Sequence, residues 1–188
     1  MIDHDVTPAI AAVVSDADSH VYLALRVQAR ANTVAARLPL NLAIVLDRSG
    51  SMGGAKLERA QAAACRAVDQ LQAGDRLAVV TFDDEVEVVV PSGPVGDPEA
   101  VKALIQGIRT GGSTALAAGW DVGMREVGRF VSAGALNRVL LLSDGQANIG
   151  LTDPEEIARR VKQGDALGVS TSALGVGDDY QLSSSRER

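Results

Sequence analysis

Cysteine is nearly absent from this chain of 188 residues, and the single Cys65 can make neither an intrachain disulfide nor a cysteine-rich zinc site. It stands in an alanine-rich stretch, the setting of a buried structural thiol rather than a reactive one. Aromatic residues are only 3%, so the core must be aliphatic and platforms for stacking bases are lacking. Positive charge is the minority, with 18 Lys+Arg against 24 Asp+Glu and a net charge of -6. An acidic surface repels phosphate backbones, which argues against nucleic acid and for cations or basic partners. No basic segment precedes an apolar one at Met1-Ile2-Asp3-His4-Asp5, and apolar runs such as 42–46 and 139–142 are far too short to cross a bilayer. No contact with a membrane is expected of this segment, and a cytoplasmic location is favoured on that ground.

What the sequence does contain is the material of a globular core. Hydrophobic residues make up 46% and charged residues 22%, which rules out disorder as a description of the whole. The length suits one ordinary domain.

Two strands are expected first, at 8–14 and 20–29, around the turn cluster 15–19. In the second, Val21, Leu23, Leu25 and Val27 alternate with Tyr22, Ala24, Arg26 and Gln28, giving one buried and one wetter face. Residues 30–38 read as a connector. From residue 40 the pattern changes to an almost unbroken apolar run, as for a strand buried on both faces of a parallel sheet. A loop, a helix over 54–72, a strand at 76–82 and an alternating edge strand through Val86, Val88 and Val90 follow. Asp97-Pro98 starts a short helix with an N-cap and a proline in its first position. Further elements are a helix from Thr114 to about 131, a strand at 138–143, a helix capped by Asp153 and running to about 166, and a strand at 169–174. Strands alternating with helices predict an α/β fold: a Rossmann-like, doubly wound, mostly parallel sheet with helices on both faces and one antiparallel edge strand, preceded by a β-hairpin.

In such sheets ligands bind beyond the carboxyl ends of the strands. There stand Asp47-Arg48-Ser49-Gly50-Ser51, Gly111-Gly112-Ser113-Thr114 and Ser143-Asp144-Gly145. Three loops on one rim thus offer two carboxylates and several hydroxyls, with no His or Cys among them. These hard oxygen donors suit Mg²⁺, or Mn²⁺ or Ca²⁺, and do not suit zinc.

The segment Leu42-Ala43-Ile44-Val45-Leu46-Asp47-Arg48-Ser49-Gly50-Ser51-Met52 resembles the Asp-x-Ser-x-Ser element of von Willebrand factor type A domains. Thr114 is similar in setting to the isolated threonine of that family's metal-ion-dependent adhesion site, and Asp144 to its second aspartate. The resemblance spans roughly residues 40–180. It implies that Ser49 and Ser51 bind a divalent cation through their hydroxyls, that Thr114 binds it directly or through water, and that Asp47 and Asp144 act mostly through waters. It further implies an ion left electrophilic enough to take a partner's Asp or Glu carboxylate, in a recognition module rather than an enzyme. The same family continues past a segment such as Gly175-Val176-Gly177 with another helix and a final strand. The expected organisation is therefore a hairpin and linker at 1–38, the family's domain at 39–182 without its last helix and strand, and a polar tail at 183–188. The hairpin resembles half of a flanking β domain.

Each residue also has a plainer use. Asp47 and Ser49 could cap the following helix, Thr114 could be an N-cap, and Asp144-Gly145 could be a turn. A scaffold domain in a multiprotein assembly, beside an ATPase and indifferent to metal, is the alternative function. Residues 50–57 approximate a phosphate-binding loop, but Ala55 replaces its second glycine and Leu57 its magnesium-binding hydroxyl. An esterase elbow fails because Asp47 and Ser51 occupy its glycine positions. His4 and His20, in the expected hairpin, are poorly placed to serve Ser49 as a base.

Overall fold

A computed structural model describes residues 2–8, 23–29, 37–145 and 154–177. Contacts divide the chain into two units, Met1–Arg37 and Leu38–Arg188. In the first, β1 (Ile2–Pro8) pairs antiparallel with β2 (Leu23–Ala29), with Ile2 opposite Ala29 and Pro8 opposite Leu23. The second strand falls where the alternation put it. The first lies earlier than the expected 8–14, because Ile2, His4 and Val6 alternate with Asp3, Asp5 and Thr7, a period of two that the acidic composition obscured. Pro8, which has no N–H to give a ladder, is the last residue of β1. Residues 9–22, including the rest of the expected first strand and its turn, lie outside the described residues.

The second unit begins with the apolar run, β3 (Leu40–Asp47), then a 3-10 turn at Gly50–Met52 and α1 (Ala55–Asp69). It continues through β4 (Arg76–Phe82), β5 (Val86–Pro94), α2 (Pro98–Gly107) and α3 (Leu116–Gly128). The last elements are β6 (Leu136–Ser143), α4 (Pro154–Ala166) and β7 (Ser170–Gly175). The strands form one sheet in the order β5-β4-β3-β6-β7. All neighbours are parallel except β4 and β5, so the antiparallel strand is at the edge, as expected.

The period of two along β3 divides the core between the two faces. Leu42, Ile44 and Leu46 point into one cluster with Leu57, Ala60, Ala64 and Val68 of α1 and Ile105 of α2. Ala43 and Val45 point into the other, with Trp120 and Val127 of α3 and, partly buried, Val161 of α4. Ile44 and Val45 are both fully buried, which is why this strand reads as a continuous apolar run rather than an alternating one. The aromatic scarcity is met by placing Phe82 and Trp120 in the second cluster and aliphatics elsewhere.

Helix ends follow local chemistry. Asp97 accepts hydrogen bonds from the amides of Glu99 at 3.0 Å and Ala100 at 3.1 Å, with Pro98 beginning the helix. At its other end Gln61 of α1 donates to the carbonyls of Ile105 at 3.0 Å and Ile108 at 2.9 Å, satisfying acceptors that the helix leaves open. α3 begins at Leu116 rather than Thr114, with Ala115 in the capping position and no side-chain cap. The caps expected at Asp153 and the polar tail 183–188 lie outside the described residues. Among the described residues no helix is long and apolar enough to cross a membrane.

Candidate metal centre

The chain leaves β3, turns outward to β4 and β5, and returns to β6 on β3's other side, so the sheet's switch point lies between β3 and β6. Diverging loops open a crevice at such a point. Asp47 ends β3 and Ser143 ends β6, and the Ser143 hydroxyl donates to Asp47 Oδ2 at 2.7 Å. Asp47 Oδ1 accepts from the Ser49 amide at 2.9 Å, which folds the loop back on its own aspartate. Burial pushes the Asp47 carboxyl above the ordinary range; the Ser49 and Ser143 hydrogen bonds oppose this, and the nearby Asp144 charge adds to it.

Four of the five expected ligands are withdrawn from solvent. Asp47 and Asp144 are 0% exposed and Ser49 and Thr114 1%, whereas Ser51 is exposed. The Ser49 and Ser51 hydroxyl oxygens are 3.2 Å apart. This end of the sheet thus carries two buried carboxylates and one exposed hydroxyl.

Backbone hydrogen bonds knit the loops together. The Gly111 amide donates to the Arg48 carbonyl at 2.7 Å, and the Gly50 amide to the Gly112 carbonyl at 2.8 Å. The Ala115 amide donates to the Asp83 carbonyl at 2.8 Å, which anchors the residue after Thr114. Asp83 is itself buried; its carboxylate accepts from the Glu85 amide at 2.8 Å and from an Arg48 amino group at 3.3 Å. The approach is close enough that a Cβ on Gly111 would collide with the Asp83 carboxylate and one on Gly112 with that of Asp84. Glycine is therefore required at this crossing for steric reasons. The sequence reading missed Asp83 and Arg48 as positioning residues; the available signal was the Gly111-Gly112 pair shortly before Thr114.

Lys56 was also missed. It falls within residues 50–57, the stretch that approximates a phosphate-binding loop. Its Nζ instead lies 3.1 Å from Asp144 Oδ2. The ammonium shows that the floor of the crevice accepts a cation at hydrogen-bond range.

The plainer uses fare differently. The residue capping α1 is Gly54, and neither Ser49 nor Gly54 makes a side-chain cap bond. Thr114 lies before the capping position of α3. The chain bends at Gly145, with φ 84°, while Asp144 beside it is fully buried. Among the described residues no three His, Cys, Asp or Glu side chains cluster as a metal site. The donor set is two carboxylates and hydroxyl groups, and it fits a hard divalent ion that retains waters.

A doubly wound α/β domain with an acidic, hydroxyl-lined crevice at its switch point defines the class. The chain belongs to the von Willebrand factor type A domain family, whose model matches residues 41–184. "Uncharacterized protein sll0103" of Synechocystis sp. is 33% identical over 161 residues, covering 84% of this chain and 37% of that protein. Human inter-alpha-trypsin inhibitor heavy chain H6 is 30% identical over 156 residues, covering 74% of this chain and 11% of that one. The chain therefore spans well under half the length of these relatives. Proximal thread matrix protein 1 from the mussel byssus, solved with a zinc-occupied MIDAS motif (the metal-ion-dependent adhesion site), has a TM-score of 0.62. It is 21% identical, with 75% of this chain and 39% of that one covered, a likeness of fold.

Proposed function

We propose that Asp47, Ser49, Ser51, Thr114 and Asp144 hold a divalent cation, Mg²⁺ first and Mn²⁺ or Ca²⁺ as substitutes, and that the domain binds protein partners through it. One observation carries this reading. Asp47 is a fully buried carboxylate whose hydrogen-bond donors are the neutral Ser49 and Ser143, beside a second fully buried carboxylate, Asp144. Two acids out of water on one floor call for positive charge. Ser49 and Ser51 would touch the ion through their hydroxyls, and the aspartates would orient waters and supply charge. An ion held mainly by neutral oxygens stays electrophilic, so an Asp or Glu side chain of the partner completes its sphere. The family's membership among protein-interaction modules agrees with this. We read the domain as a recognition module and not as an enzyme. We place the family's domain at 39–182 and take the hairpin, within residues 1–38, as part of a flanking β domain.

A second reading has one observation in its favour. Because Lys56 already compensates Asp144, the crevice could serve as a finished polar surface in an assembly, without metal. Alanine at Ser49 decides between them. Partner capture that is lost both in Ser49→Ala and in EDTA, with the circular dichroism unchanged, supports the metal-dependent module. Capture unchanged by either leaves the scaffold reading.

A further inference from the structure

Lys56 is the second residue of α1, so its charge stands at a helix N-terminus, where the unpaired amides already carry partial positive charge. That is an unfavourable place for a cation. The side chain is nonetheless held inward, with Nζ 3.1 Å from Asp144 Oδ2. The two partners differ in their access to water: the Lys56 side chain is 21% exposed and that of Asp144 0%. A four-carbon stem lets the ammonium leave toward solvent, whereas the carboxylate cannot follow.

A buried carboxylate without a counter-charge is strongly destabilising, and the ammonium supplies one while no metal is bound. A divalent ion brought to the same carboxylate would face that ammonium at short range, where repulsion is screened least.

We infer that Lys56 is a tethered counter-cation of the crevice, which occupies Asp144 in the metal-free protein and has to be displaced for a divalent ion to bind. This rests on the metal-binding reading above. It makes Lys56 a regulator of the site: the metal-free floor stays charge-balanced and folded, and ion affinity is held down by the cost of moving the lysine. The geometry also gives a use to a lysine in the first turn of α1, where the helix dipole would favour an acid.

The test uses the chain as it stands and Mn²⁺ alone as the probe, followed by titration calorimetry and by the spin resonance of the free ion. Lys56→Met keeps the stem and removes the charge; Lys56→Arg keeps the charge. Lys56→Met should bind Mn²⁺ roughly tenfold tighter or more, since a like charge at short range is removed. Its metal-free form should melt below wild type, and Mn²⁺ should raise its melting temperature by more than it raises that of wild type. Lys56→Arg should stay near wild-type affinity. Lys56→Gln, which can still donate to Asp144, gives the same reading where the methionine variant does not fold. Wild-type binding with equal or weaker affinity in the neutral variants overturns the inference alone. No Mn²⁺ binding by any of the proteins overturns the metal-binding reading and this inference with it.

Discussion

The hydroxyl of Ser143 donates to Asp47 Oδ2 at 2.7 Å, joining the ends of two neighbouring parallel strands across 96 residues of sequence. The bond fixes one oxygen of a carboxylate that is wholly buried, while the Ser49 amide fixes the other. Ser143→Ala removes a donor from a buried acceptor and should lower stability by about 1–3 kcal/mol. Urea unfolding of the two proteins checks this, and an unchanged midpoint would mean that water replaces the hydroxyl without cost.

Thr114 is placed from a distance, through the contact of its loop with Asp83. Gly111→Ala drives a methyl group into the Asp83 carboxylate, so one loop must shift. A loss of about 1–3 kcal/mol is expected, as for overpacking in a core. Divalent-ion affinity should fall as well, since the Gly111 amide ties this loop to the Arg48 carbonyl beside Ser49. Thermal melts with and without Mg²⁺ read both effects.

Cys65 should be a slow nucleophile. It is half-buried, its Sγ lies 4.0 Å from the Lys102 carbonyl oxygen, and burial pushes its pKa up despite the opposing Lys102 charge. A raised pKa leaves less thiolate near neutral pH, and the thiolate is the reactive form. Alkylation by iodoacetamide should run several-fold slower in the native protein than in urea. Equal rates would show that the thiol is open to solvent.

The end of α2 offers a calibration remote from the crevice. Asp97→Ala should cost about 1 kcal/mol, because two amides lose their acceptor, with no change in ion affinity. Measuring both quantities on one sample separates stability from site effects.

Most of the sheet was legible because burial on both faces leaves a continuous apolar run at Leu42–Leu46, and because α1 carries its apolar residues at helical spacing. The five candidate ligands stand in the sequence in the order and spacing of a family's motif, and the structure buries four of them. β1 was not, since its acidic residues hide the alternation that makes it a strand. Lys56 and Asp83 were not, for a different reason: their partners Asp144 and Arg48 lie 88 and 35 residues away, and pairing at that range is set by topology, not by local pattern. On a helical wheel Lys56 is one charged residue among several; only the return of β6 beside β3 gives it a carboxylate.

Metal binding is tested most directly by a calorimetric titration of the chain with Mg²⁺ and Mn²⁺, run beside Asp47→Asn and Ser49→Ala, whose folding is confirmed by circular dichroism. One ion per chain should bind to the wild type, weakly because neutral oxygens and water make most of its contacts, and none to either variant. No heat of binding in the wild type, or the same binding in all three proteins, would contradict this.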